Sequence, residues 1–347
     1  MTLPRPLKLI GAPPSPYTRK MLALLRYRHI PHIIIWGDPN NILDQMNIEK
    51  PSPGLLPTFL LPDEVGNIKA ITDSTPIIRR LENEVAERRV IPKDPAVQFI
   101  NFLLEDFGDE WVTKYMFHYR WHLKEDAENA AKLLPLNNNV TLTEEIWKKF
   151  KDYIGPRQID RLWVVGSNET TAPIIESSYK RFLSIMEKHF ESFPFLLGYR
   201  PSSSDFAIYG QLTQLIGFDP TSRKIAHEVS PRTIAWVNTM EDQSGLDPKE
   251  NDWLEIESIP HSLKALLSEI GRVYVPALLE NAKALKNKDK TWETKIDDCQ
   301  WRQQTFNYQG KCLRWIIEEY QALNPSDQEK ISSIFEGTGC EFLLQQL

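Results

Sequence analysis

Leu7-Lys8-Leu9-Ile10-Gly11-Ala12-Pro13-Pro14-Ser15-Pro16-Tyr17-Thr18-Arg19-Lys20 is the stretch on which the reading of the chain turns. Its first four residues form a short, mainly apolar run that reads as a strand. The Gly-Ala-Pro-Pro segment ends that strand, because proline fixes φ and removes a backbone donor. Ser15 before Pro16 is a helix N-cap followed by proline at the first helical position. Tyr17, Met21, Leu24 and Leu25 then recur at helical spacing. Outward from this unit, His32–Trp36 reads as a second strand, Pro57–Leu61 as a third and Ile68–Ile71 as a fourth. Thr72-Asp73-Ser74-Thr75-Pro76 opens a helix carrying Ile77, Ile78, Leu81 and Val85. The first 85 or so residues therefore alternate as βαβ and then ββα, a small α/β domain with a mixed sheet.

After Val90-Ile91-Pro92 the period becomes helical and stays so. One long helix is expected from Asp94 past His122, with further helices over 174–190, from Ser202 onward, from Pro231 onward, and over 258–285, 311–322 and 326–345. Ser202-Ser203-Ser204-Asp205 has the capping-box pattern. The stretch around Thr291–Trp301 is strand-like but ambiguous.

The chain has 347 residues, 41% hydrophobic and 25% charged, with a formal net charge of −6. Two or three structural units are expected at that length. The composition is that of a globular protein rather than a disordered one. The charge balance offers no footprint for duplex nucleic acid, and no apolar run approaches the about 20 residues of a bilayer span. The opening residues lack a signal-peptide pattern, and three cysteines, Cys299, Cys312 and Cys340, do not make a disulfide framework. The expectation is a cytoplasmic protein without nucleic-acid or membrane partners.

Three places in the first domain offer chemistry. Ser15 puts a hydroxyl beside the unpaired N–H groups at the positive end of a helix, where an anion such as a thiolate is favoured. Pro57, leading into a strand, is a candidate cis proline that would turn the backbone of Leu56 towards a ligand. Asp73 and Ser74 open the next helix, where the hydroxyl and N–H groups suit a carboxylate and Asp73 an ammonium. Each has a plainer reading beside it. Ser15 and Asp73-Ser74 can be caps and nothing more, and Pro57 an ordinary turn proline.

Taken in order, Ser15-Pro-Tyr-Thr-Arg-Lys20, Pro53-Gly-Leu-Leu-Pro-Thr-Phe59, Asp73-Ser-Thr-Pro-Ile-Ile-Arg-Arg-Leu-Glu82 and Phe195-Leu-Leu-Gly-Tyr-Arg-Pro-Ser-Ser-Ser-Asp-Phe206 resemble the glutathione S-transferase superfamily. Glu105–Trp111 and Met116–Trp121 look like a bacterial branch of it, whose members often lack assigned substrates. The resemblance implies a thioredoxin-like N-terminal domain over 1–88, an all-α domain over 89–250 and, beyond the usual family chain, a helical extension over 251–347 packed on the helical domain. It implies that Ser15 faces the sulfur of glutathione and that the Leu56 backbone, ahead of cis Pro57, pairs with the cysteinyl backbone. Ser74 would bind the γ-glutamyl carboxylate, with Asp73 as its acidic neighbour. Lys50 is a candidate for the glycyl carboxylate, and a solvated loop lysine is the commoner reading.

The reaction implied is thiol activation, glutathione serving as co-substrate in alkyl or aryl transfer to a small hydrophobic electrophile. A free thiol of pKa about 8.5 is only slightly ionised at neutral pH. Serine rather than cysteine at position 15 argues against a mixed-disulfide reductase. Tyr17 is a rival hydroxyl, equally suited to core packing. Trp111, Tyr115 and Tyr119 would face the substrate cleft, since the matching family helix lines it; as a stripe at helical spacing they read equally as core. His118 and His122 sit four apart without a third ligand, so no metal is expected. The resemblance also implies a homodimer. The long extension motivates the alternative, a binding or assembly protein that keeps the fold without transferase activity.

Overall fold

A computed structural model describes residues 3–345. The N-terminal domain is built from β1 (Leu7–Gly11), α1 (Pro16–Tyr27), β2 (His32–Trp36), α2 (Pro39–Met46), β3 (Thr58–Pro62), β4 (Ile68–Ile71) and α3 (Ser74–Glu84). The sheet order is β2-β1-β3-β4, with β1 and β2 parallel and the other pairs antiparallel. This is the thioredoxin-like layout that the resemblance implies, and it contains the mixed sheet expected from the strand and helix pattern. Helix α2 is an addition to that pattern. Asp38 caps it through the Asn40 amide at 3.1 Å, and Pro39 holds its first position.

The register decides where the chemistry collects. Ile10, next to the end of β1, faces Thr58 at the start of β3, and Phe59 faces Ile71 at the end of β4. The chain leaving β1 towards Ser15, the chain entering β3 through Pro57 and the chain leaving β4 towards Asp73 therefore share one end of the sheet.

The helical part begins with α4 (Pro95–Glu110) and α5 (Val112–Trp121), which break at Trp111 instead of forming the single long helix expected. It continues with α6 (Lys124–Asn138), α7 (Glu144–Ile159), α8 (Ala172–His189), α9 (Ser203–Gly217), α10 (Pro220–Val229) and α11 (Pro231–Met240). At the start of α9 the Asp205 carboxylate returns to the Ser202 amide at 2.9 Å and also takes the Leu196 amide at 2.9 Å. The cap thereby ties the preceding loop to the helix. Gly210 of α9 lies against α1, where a β-carbon would overlap the Pro16 carbonyl. Glycine there lets the two helices cross backbone to backbone.

The final segment is not wholly helical. Helices α12 (His261–Glu269) and α13 (Val275–Asn287) are joined by a π-helical turn, Ile270–Tyr274. The ambiguous stretch is a hairpin, β5 (Thr291–Ile296) and β6 (Cys299–Gln304), whose turn residues Asp297 and Asp298 both have positive φ. Type I′ hairpin turns ask for that conformation, and aspartate tolerates it better than most residues. Then come α14 (Asn307–Gln321), α15 (Pro325–Phe335) and the short α16 (Glu341–Leu344).

One apolar cluster runs from Leu9 and Phe59 through Phe107 and Phe182 to Trp301, Ile316 and Phe335, so all three segments share a core. The extension also reaches past the helical domain: Glu319 of α14 pairs with Arg79 of α3 at 3.2 Å. Among the described residues no helix is long and apolar enough to cross a membrane.

The polar centre of the junction is Lys20. It is fully buried, and its ammonium meets Glu105 at 2.8 Å, Asp109 at 2.6 Å and Ser74 Oγ at 3.1 Å. Burying an ammonium costs several kcal/mol unless it is fully paired, and removing one partner of such a set leaves an uncompensated charge. Lys20→Met should lower the unfolding free energy by about 3–5 kcal/mol in urea titration. A loss below about 1 kcal/mol would mean that the pairing contributes little more than a surface ion pair.

Candidate functional site

Ser15 closes the loop after β1 and caps α1, its Oγ accepting from the Thr18 amide at 3.2 Å. The loop is held on two sides. Thr18 Oγ1 accepts from the Ala12 amide at 3.4 Å, and Arg120 of α5 donates to the Pro14 carbonyl at 3.3 Å. Arg120 is itself clamped by Asp219 at 2.9 Å and Gln214 at 3.0 Å. Its position was not legible in the sequence, because it meets Pro14 across 106 residues.

The Leu56–Pro57 peptide bond is cis. Pro57 is buried and Leu56 half-buried, while pairing of β3 with β1 begins only at Thr58. Asp73 has φ of 81°, a conformation that costs a non-glycine residue on the order of 1–3 kcal/mol. Its side chain makes no cap hydrogen bond to α3. It points instead to the extension, where Tyr308 donates to Oδ2 at 3.0 Å and the Lys311 ammonium stands 3.8 Å away. Ser74 follows, buried, its Oγ accepting from Lys20. Lys20 thus joins the start of α3 to α4, and two further contacts reinforce that joint. Thr75 donates to Glu105 at 3.0 Å, and Ser203 of α9 to the other oxygen of Glu105 at 2.6 Å.

Two carboxylates share the one ammonium, and their environments differ. Burial raises Glu105, but Lys20 and Ser203 outweigh it and hold the carboxyl below its usual range. Asp109 is the surplus acid. Burial, then the charge of Glu105 against the attraction of Lys20, pushes it up to about 7. Neighbouring Asp106, buried and bonded to Tyr274 at 2.5 Å, rises to about 6. Burial and the charges of Asp106 and Asp109 raise Glu110 well above the usual carboxylate range.

The other sequence candidates are placed as follows. Tyr17 is half-buried, with its hydroxyl donating to the Asp109 carbonyl at 2.7 Å, so it belongs to the α1–α4 contact. Lys50 is exposed and pairs with Asp44 at 2.7 Å. Trp111, Tyr115 and Tyr119 lie in the core rather than along an open wall. Trp111 packs against Trp301 and Tyr274, ring centroids 5.4 and 6.1 Å away, and donates to Tyr115 Oη at 3.0 Å. Tyr115 and Ser178 lie 2.6 Å apart, and Ser178 donates to Glu269 at 2.6 Å. Tyr274, Trp301 and Glu269 all come from the extension, which fills the space these aromatics would otherwise border. Tyr119 packs on Tyr179 at 5.1 Å.

His118 and His122 stack at 4.7 Å. Burial, then His122, pushes His118 down to about 3, which keeps its ring neutral at physiological pH. Among the described residues no cluster of three or more His, Cys, Asp or Glu side chains is arranged to hold a metal ion. The three cysteines are free.

Residues 9–89 match the family described as glutathione S-transferase, N-terminal domain. No curated protein matches the chain. Among solved structures, the chain is similar to a glutathione-S-transferase-like protein from Pseudomonas syringae, with 16% identity over 67% of this chain and a TM-score of 0.42. The chain covers 66% of that protein's length. It is also similar to a glutathione transferase family member from Pseudomonas fluorescens with two glutathione bound, with 15% identity, 68% of this chain, 86% of that one and a TM-score of 0.40. A Tau class glutathione S-transferase from mango gives 18% identity, 76% and 99% coverage and a TM-score of 0.40.

The raised Asp109 carboxyl has a consequence for stability. Between its ordinary pKa of 3.8 and about 7, the folded protein keeps a proton that the unfolded chain has released. Stability from this group is therefore highest at low pH and falls as pH rises through that window. Asp109→Asn removes the titration, so the variant should gain stability relative to the parent between about pH 4 and pH 7 in urea unfolding. A constant difference across that window would show that Asp109 stays ionised throughout.

Proposed function

We propose that this chain, whose residues 9–89 match the glutathione S-transferase N-terminal domain, binds glutathione and activates its thiol for attack on a small electrophile. The observation that carries this reading is Ser15 at the N-terminus of α1, its oxygen among the first amides of the helix and at the same sheet end as Pro57 and Asp73. A thiol placed against that oxygen would receive its hydrogen bond and sit at the positive end of α1. Both favour the thiolate over the thiol. Each unit by which the thiol pKa falls corresponds to about 1.4 kcal/mol.

The remaining roles follow from chemistry at the same end of the sheet. The backbone of Leu56, ahead of cis Pro57, lies beyond the last paired residue of β3, where it suits the cysteinyl amide of the tripeptide. Ser74, with the N–H groups at the start of α3, suits the γ-glutamyl carboxylate, and Asp73 suits the ammonium. The thiolate displaces a leaving group from, or adds to, an electrophilic carbon. The new bond is carbon–sulfur, and the thiol proton goes to solvent. No protein thiol takes part, which accords with Ser15 in place of cysteine.

The second reading, a glutathione-binding protein without turnover, is favoured by one observation. Trp111 and Tyr115 are packed against the extension and Tyr119 against Tyr179, leaving these aromatics no free face for an electrophile. Turnover with an activated aryl chloride distinguishes the two. Ser15→Ala should lower kcat by about 10- to 100-fold, the loss of one hydrogen bond to a charged group, while calorimetry still shows glutathione binding. Unchanged turnover removes Ser15 from the reaction. Saturable binding with no turnover in the parent protein supports the second reading.

A further inference from the structure

Asp73 and the two groups that meet it come from opposite ends of the chain. Tyr308 stands 235 residues away from it in sequence, in a segment that no matched family stretch includes. Its hydroxyl does not ionise in any ordinary range, because burial and the Asp73 charge both raise it. It therefore remains a donor to Asp73 Oδ2. Lys311 lies one turn along α14, 4.0 Å from the Trp315 ring centroid and 5.3 Å from that of Tyr308. This places its ammonium over two aromatic rings and beside Asp73 at the N-terminus of α3.

The start of α14 is held firmly. Asn281 of α13 is fully buried, donates to the Phe306 carbonyl at 3.0 Å and accepts from the Phe306 amide at 2.8 Å. This reciprocal pair fixes the backbone two residues before Tyr308. The Glu319–Arg79 ion pair holds the same helix against α3 further along. Asp73 therefore keeps its positive φ with the extension against it, and strained backbone of this kind persists only where the surroundings over-determine it.

We propose that the extension completes the amino-acid-binding end of the site. Lys311 takes the α-carboxylate of a zwitterionic ligand, and Tyr308 is a positioning residue that aims Asp73 at the ligand's ammonium. The complementarity is that of an α-amino acid: an anionic acceptor and a cationic donor 3.8 Å apart at the start of a helix. With a ligand present, Lys311 exchanges part of its attraction to Asp73 for the carboxylate. Tyr308 keeps Oδ2 occupied and leaves Oδ1 to the ammonium. The inference rests on the glutathione reading above, whose γ-glutamyl end is the zwitterion concerned, and adds that this chain supplies part of the site from its own C-terminal extension.

The test uses three ligands on the full-length protein: glutathione, the analogue lacking the γ-glutamyl α-carboxylate, and the analogue lacking the γ-glutamyl amino group. Lys311→Met should weaken glutathione by about tenfold and the amino-lacking analogue similarly, with the carboxylate-lacking analogue unchanged, as expected for one lost charge-assisted contact. Tyr308→Phe should weaken glutathione and the carboxylate-lacking analogue, both of which keep the ammonium, and spare the amino-lacking one. A general disturbance of α14 would weaken all three alike and would overturn the inference. So would tighter binding in either variant, because Tyr308 and Lys311 would then be competitors of the ligand. Thermal melting close to the parent's confirms that the variants are folded. If the parent binds no glutathione, the glutathione reading fails and takes the inference with it. If the parent binds and neither variant differs from it, the inference alone fails.

Discussion

A single buried ammonium holds the architecture of the site together. Lys20 leaves α1 and enters the junction between the two domains, where it meets Ser74 on α3 and Glu105 and Asp109 on α4. Helix α1 carries Ser15 as its N-cap, at the same end as Lys20, and α3 carries Asp73 at its start. The pairing thus fixes the distance between the hydroxyl proposed to meet the sulfur and the groups proposed to hold the amino-acid end. The same constraint governs the electrostatics. One positive charge faces Glu105 and Asp109, with Asp106 and Glu110 nearby, so some of these acids must hold protons near neutral pH. The close approach at Gly210, where α9 meets the backbone of α1, completes the joint from the other side.

The extension works against the helical domain and the N-terminal domain together. Its Tyr274 and Trp301 fill the space beside Trp111, and Glu269 closes the polar chain through Ser178 to Tyr115. Its α14 reaches α3 and Asp73. The extension thus buries core aromatics of the helical domain and touches Asp73 of the N-terminal one. This accounts for a single apolar core through three segments that sequence alone separates.

The parts legible in the sequence are those that local physics decides. Ser15-Pro16 as cap and first turn, the strand patterns of β1 to β4 and the Ser202–Asp205 cap all depend on neighbours within a few residues. Helix α2 has no clear local mark, because Asp38-Pro39 suits a turn as readily as a helix start. Lys20 is not legible as a buried charge, since nothing within the helix announces partners 54 to 89 residues away. The aromatic stripe on α4 and α5 could be core or cleft by spacing alone. Trp301, 190 residues further on, decides its burial. The β5–β6 hairpin alternates too weakly to be told from helix before its partner strand is known, and the Asp297-Asp298 turn is its clearest local mark.

The central claim is that glutathione lies along the end of the sheet with its sulfur at Ser15 and its γ-glutamyl group between Asp73 and the extension. A crystal structure of the protein with glutathione tests it most directly. The account predicts the sulfur within hydrogen-bonding reach of Ser15 Oγ, about 3–3.5 Å, the γ-glutamyl ammonium on Asp73, and α14 still seated against α3. Glutathione bound elsewhere, or bound here only with α14 displaced from Asp73, would contradict it.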